Sequence, residues 1–176
     1  MKKTFIVLLL LLSCSRIGLA QPSLLLHEAE EKFDKGEELF NSQKYEHSAK
    51  MYLQAAIIFK SEKEIGRYLD CLTQSSRNLL SLSDYDSTIW LMKEVIEIAK
   101  AELGEVNASI AIAFNRLAYA YTDLGDYHRA LEYDLKNYDL NLKMHGDTSL
   151  HTIKSYYNLA HSYNFLRRYD ECISLC

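Results

Sequence analysis

The sequence predicts an all-α fold: a superhelical solenoid of antiparallel helix pairs, stacked as about 3.5 to 4 repeats. Three observations carry that prediction. Tyr45, Tyr85, Tyr127 and Tyr169 recur at spacings of 40, 42 and 42 residues, and a fixed period of this size is the mark of stacked repeats. Three other columns fall into register with the tyrosines without gaps: Gly36, Ser76, Ala118 and Ala160 before them, Leu39, Leu79, Tyr121 and Tyr163 nearer, and Ser48, Thr88, Ala130 and Cys172 after. Pro22 is the only proline and glycine is scarce, so long amphipathic segments run without an interdomain linker.

In chain order, the first element is not part of the fold. "MKK" is a short basic head, "FIVLLLLL" is an apolar run too short to span a bilayer comfortably, and "GLA" sets small residues before Gln21. Residues 1–20 therefore read as an export signal cleaved between Ala20 and Gln21. A competing reading takes "LLSC" as a lipobox and Cys14 as a lipidated N-terminus, although Leu12 is bulky for such a site. The expected compartment is the periplasm or cell envelope, or the outside of the cell. Losing Lys2, Lys3 and Arg16 makes an already acidic chain, net charge -4, more acidic still. Without a basic run there is no electrostatic footprint for nucleic acid, and no membrane contact is expected unless Cys14 is lipidated.

Residues 21–176 form one predicted domain, with units at about 28–64, 65–106, 107–148 and 149–176. Helices are expected over 25–41, 44–60, 64–82, 85–102, 107–124, 127–144, 149–166 and from 169 onward. Small residues mark where two helices cross, because axes approach to about 8–10 Å only over small side chains. Each tyrosine opens the second helix of its unit and is expected to pack back over the first. In "LGDY", Gly125 suits the positive φ of a helix C-cap and Asp126 suits the next N-cap; in "LSDY", Ser83 and Asp84 take those places. "LGEVNAS" and "HGDTSLH" are polar breaks between units. Asn107-Ala-Ser is also a glycosylation pattern, but a helix cap is the expected role. The last helix has about half the length of its counterpart, so the chain reads as the N-terminal part of a longer protein or a truncated product.

Cys71, Cys172 and Cys176 remain after cleavage, an odd number without a Cys-x-x-Cys pair. Packing is favoured for them over a metal or disulfide site.

The pattern Leu117, Ala118, Tyr121, Gly125, Tyr127, Ala130 resembles the tetratricopeptide repeat, and Leu159, Ala160, Tyr163, Tyr169, Cys172 repeats it. The period exceeds the usual ~34 residues by about two helical turns. That length, with "NRLAYAY" and "YNLAHSY", is similar to the repeats of kinesin light chains and of exported bacterial repeat proteins. Unit one departs from the pattern at Lys35, where leucine is expected.

The resemblance implies a concave face lined by the first helix of each unit. Its projected positions are Glu30, Phe33, Asp34, Glu37 and Asn41; Asp70, Thr73, Gln74, Arg77 and Ser81; Ile112, Asn115, Arg116, Tyr119 and Asp123; and Lys154, Tyr157, Asn158, His161 and Phe165. The candidate peptide-binding groove is Arg77, Asn115, Arg116, Tyr119, Lys154, Tyr157, Asn158 and His161. Asparagine pairs with an extended main chain, arginine grips a carboxylate, and tyrosine adds contact area at low entropic cost. The five-residue carboxylate clamp of chaperone-binding repeats is not supported. Over units two to four it falls on Thr73, Arg77, Arg116, Lys154 and Asn158, where only Lys154 is of the expected type; starting from unit one it falls on Phe33, Glu37, Gln74, Ile112 and Arg116, where only Arg116 matches.

No catalytic, metal or cofactor constellation stands out. His27, His47, His128, His145, His151 and His161 include no His-Glu-x-x-His, and no Gly-x-Ser-x-Gly occurs. The expected function is an exported scaffold that binds a protein or peptide partner without catalysis. The rival is a docking or sensory region of a larger enzyme, such as a caspase-like peptidase or a membrane signalling kinase. A third reading is self-association through an open C-terminal repeat.

Overall fold

The computed structural model describes residues 24–174; the signal, Cys14, Ala20, Gln21 and Cys176 lie outside the described residues. Eight α-helices follow one another: α1 Leu24–Asn41, α2 Tyr45–Ser61, α3 Ile65–Ser81, α4 Tyr85–Leu103, α5 Ala108–Asp123, α6 Tyr127–His145, α7 Leu150–Phe165 and α8 Tyr169–Ser174. Each packs chiefly on its neighbours in sequence, and α3 also touches α5. That is the one-dimensional stacking of a solenoid. The 40-residue first period has a local cause: α2 has 17 residues where α4 and α6 have 19, and residues 62–64 join units one and two where 104–107 join the next pair.

The expected caps are in place. The side chains of Asp84, Asp126, Asn107 and Ser149 accept hydrogen bonds from the backbone N–H of Ser87, Arg129, Ile110 and Thr152, satisfying donors that a helix start leaves open. Gly125 takes φ +77°, but its equivalents Gln43, Ser83 and Arg167 adopt φ 59°, 59° and 56° without glycine. An L-residue there costs about 1 kcal/mol. Ser83→Gly is therefore expected to raise the urea midpoint slightly, by about 0.5 kcal/mol of stability; an unchanged or lower midpoint would contradict a strained turn.

The small columns mark the crossings. Ser76, Ser48, Thr88 and Ala130 are wholly inaccessible. Ser48 Oγ donates to the Gly36 carbonyl at 2.7 Å, and Cys172 Sγ makes the same contact with the Ala160 carbonyl at 3.6 Å. Units one and four thus cross in the same way, and Cys172 has a packing role. Cys71 is also buried, and burial pushes its thiol up to about 12, which keeps it protonated and inert. At Gly36 a Cβ would stand 2.9 Å from a ring carbon of the buried Tyr52. Gly36→Ala is expected to lose about 1–2 kcal/mol, because overpacking outweighs the gain in helix propensity. Chemical denaturation measures it, and a gain in stability would show that the ring yields freely.

One expectation needs correction, and the departure at Lys35 has a structural reason. Tyr45 does pack on its own first helix, 5.4 Å from Phe40. Tyr127 instead reaches forward and stacks on Phe165 of the next unit at 4.7 Å, since Tyr121, in the same unit, is already stacked on Tyr133. Lys35 is exposed and pairs with Glu38 at 2.5 Å, whereas Leu117 and Leu159 in the same column are buried. No described helix precedes α1 to cover that column, so a charged residue is tolerated there.

Candidate functional site

Three adjoining concavities occupy the face lined by α3, α5 and α7. The largest, about 630 Å³, lies between units three and four and includes Ile112, Asn115, Tyr119, Lys154, Tyr157 and Asn158. A second, about 310 Å³, takes in Tyr119, Tyr157, Asn158, His161 and Phe165. The third, about 450 Å³, is bounded by Phe40, Arg77, Asn115, Arg116 and Tyr119. All eight candidate groove residues line at least one of them, and Tyr119 lines all three. Their periodicity explains the shared face: Asn115 and Tyr119, like Lys154, Asn158 and His161, are three or four residues apart on one helix.

The charged side chains of this face are not all free. Arg77 is not a free cation: its guanidinium lies 3.7 Å from Glu37 Oε1 and 3.5 Å above the Phe40 ring. Glu37 also accepts the Tyr52 hydroxyl at 2.6 Å. Glu30 is held by Arg67, whose Nε donates at 3.0 Å. The acidity of unit one is thus largely spent on internal pairs. Arg116 differs. It is half-buried, its Nε has no hydrogen-bond partner among the described residues, and burial together with the nearby Arg77 pulls its pKa below the ordinary arginine value. No carboxylate among the described residues pairs with this guanidinium.

Thr73 is not a groove residue. It is 4% exposed and its hydroxyl donates to the Asp70 carbonyl at 2.9 Å. His161 sits edge-on to Phe165 at 4.5 Å, and His145 and His151 stack at 4.9 Å.

The projection from first helices missed the floor, which α6 supplies. Asp134 lines the second cavity, and Asn137, Asn141 and Met144 line the first. Asn137 Nδ2 donates to the Ala111 carbonyl at 2.6 Å and Asn141 Nδ2 to the Asn137 carbonyl at 2.9 Å. Ser162 Oγ donates to Asp134 Oδ2 at 2.5 Å, while Oδ1 is buried without a partner among the described residues. Burial pushes the Asp134 carboxyl up to about 6, against the smaller opposing effects of Ser162 and His161. The signal for this floor was present in "YDLKNYDLN": Asp134, Asn137 and Asn141 at i, i+3 and i+7 are one helical stripe of polar residues.

The geometry defines the class as a helical-hairpin solenoid with a polar, aromatic-lined inner groove. Residues 109–175 match the family model described as "Tetratricopeptide repeat". Residues 109–175 thus carry tetratricopeptide repeats, and the described chain is similar in fold to the kinesin-light-chain type. Its structural neighbours include the apo form of RapI, at TM-score 0.77 and 17% identity over 87% of this chain and 42% of that one. The nearly identical TPR-like repeats of a Podosopora anserina kinesin light chain superpose at TM-score 0.72 and 17% identity, over 89% and 74% of the two chains. BtubC (BKLC) from P. vanneervenii gives TM-score 0.77 and 14% identity, over 93% and 65%. Among curated proteins, a clustered mitochondria protein homolog of Candida albicans is 29% identical over 115 residues, 60% of this chain and 8% of that protein. The chain thus spans only a small part of the length of that relative. Repeats of this kind are, as a class, scaffolds for protein interaction.

Proposed function

We propose that this protein binds an extended peptide segment of a partner protein in the groove formed by Arg77, Asn115, Arg116, Tyr119, Lys154, Tyr157, Asn158 and His161, without catalysis of its own. The observation that carries this reading is the pair of half-buried amides, Asn115 and Asn158. Each lines two of the three joined concavities, and neither is engaged by another described side chain or backbone group. An amide offers both a donor and an acceptor, which an extended main chain can use. Arg116, without a counter-ion among the described residues, supplies an attachment point for a carboxylate of the same segment, and Tyr119 and Tyr157 give contact area.

Capture from an envelope extract tests it. The wild-type chain should retain a partner that the Asn115→Ala/Arg116→Ala/Asn158→Ala variant loses, with both equally helical by circular dichroism. Equal capture by both, or none by either, sinks the groove reading.

Export through residues 1–20 belongs to the same proposal. N-terminal sequencing of the mature protein should begin at Gln21; a product starting at a lipid-modified Cys14 would put the protein on a membrane instead. The short share of the Candida relative that matches supports a second reading, in which such repeats dock partners for a larger chain. A transmembrane or catalytic segment in the same open reading frame would favour it.

A further inference from the structure

The cavity of about 310 Å³ between α5, α6 and α7 contains a group that the peptide-groove reading does not use. Asp134 is 4% exposed, yet only Oδ2 has a partner, Ser162 Oγ at 2.5 Å. Oδ1 has none among the described residues. A buried carboxylate oxygen without a donor is costly, and no described lysine or arginine pairs with it. The walls are aromatic: Tyr119 from α5 and Tyr157 and Phe165 from α7. Asp123, exposed on α5, adds a second negative group at the rim. The titratable groups facing the cavity are then Asp123, Tyr119, Tyr157 and His161, with Asp134 at the floor.

We propose that this cavity is a specificity pocket for a lysine side chain of the bound peptide, its ammonium meeting Asp134 Oδ1 between the rings of Tyr119, Tyr157 and Phe165. The proposal rests on the groove reading and deepens it by naming one side chain of the ligand. Three features select the chemistry. A negative floor under aromatic walls favours a cation, which gains from the ring faces as well as from the carboxylate. Only one carboxylate oxygen lacks a partner, and it is covered in the unbound protein, which suits a slim point-charge ammonium better than the two-pronged guanidinium of arginine. The oxygen lies deep, and a lysine carries its charge on a slim four-carbon stem that the tyrosines can line.

The burial that raises the Asp134 carboxyl is the expected state of an anion awaiting a cation. A buried carboxylate that weakens the fold and stands in a cleft marks a candidate functional site.

Two measurements on the full chain test the pocket. A degenerate peptide library panned on the wild type should return sequences with lysine fixed at one position. Asp134→Asn should still capture peptides but lose that lysine preference, whereas the Asn115/Arg116/Asn158 alanine variant should lose capture altogether. Captured peptides without lysine enrichment would overturn the pocket and leave the groove standing. If no peptide is captured, the groove reading fails, and the pocket is decided by the second measurement. Butylammonium, titrated into ¹⁵N-labelled protein, should shift the amide signals of His161 and Ser162, with binding about tenfold weaker for Asp134→Asn and for butylguanidinium on the wild type. Equal shifts in wild type and Asp134→Asn, or none in either, would reject it; equal binding of the two cations would reject lysine selectivity.

Discussion

Asp134→Asn is expected to make the protein more stable at pH 7, by about 2 kcal/mol, and to remove a rise in stability that the wild type shows on mild acidification. Burial holds the Asp134 carboxyl at about 6, above the ordinary value of 3.8. The folded state therefore binds this proton more tightly than the unfolded state does. Above pH 6 the side chain is ionised in both states and the fold bears the full cost of burying it. Between pH 6 and 4 the folded protein takes up the proton and that cost is relieved. Asparagine has nearly the same shape, can keep the contact with Ser162, and carries no charge to bury. The carboxyls of Asp126 and Glu171 lie below the ordinary range because of Arg129 and Arg168. Their stabilising effect is lost only as pH falls through those lower values, so it does not mask the window of Asp134. Urea midpoints at pH 5 and pH 7 for the two proteins decide the matter. A wild type less stable at pH 5 than at pH 7, with the variant unchanged, would contradict the assignment.

Leu117→Ala is expected to cost about 3 kcal/mol, against no more than about 0.5 kcal/mol for Lys35→Ala at the equivalent position of unit one. Leu117 is completely inaccessible and belongs to the main apolar cluster, together with Leu69, Met92 and Tyr121. Truncation there removes buried methyl groups and leaves a void that rigid helices fill poorly. Lys35 has the same place in the repeat but faces solvent and holds only an exposed pair with Glu38, of a kind that adds little. The comparison separates position in the repeat from position in the stack. Denaturation midpoints of the two variants measure it, and similar losses would mean that α1 is covered in solution by something else.

What the sequence made legible follows from what is local. The caps at Asp84, Asp126 and Asn107 and the αL turn at Gly125 depend on neighbours within a few residues, and the tyrosine register shows as a period along the chain; each was readable at sight. The pairing of Arg77 was not legible because its counter-ion, Glu37, is 40 residues earlier; a pair that closes only when two units stack leaves no trace in a window of one helix. Thr73 fell on a groove position by analogy, yet its hydroxyl is short enough to turn back on the Asp70 carbonyl, and the site closes over it. The floor residues Asp134, Asn137 and Asn141 were missed for a related reason. Polar side chains on an amphipathic helix ordinarily mark its wet face, but here they sit buried among the packed helices, where hydrogen bonds to Ser162 and Ala111 satisfy only part of their needs.

The two ends of the stack are fastened by different forces. At the junction of units one and two, Arg67 reaches Glu30 and lies 4.1 Å over Phe33, while Arg77 bridges to Glu37. At the junction of units three and four the fastening is ring on ring: Tyr127 on Phe165, Tyr138 against Tyr156 at 6.2 Å, His145 on His151. Dissolved salt weakens the first kind of joint and scarcely touches the second. Ionic strength therefore acts on the stack unevenly: it weakens the amino-terminal joint, where Arg77 also borders the groove, and leaves the ring contacts of the later joint in place.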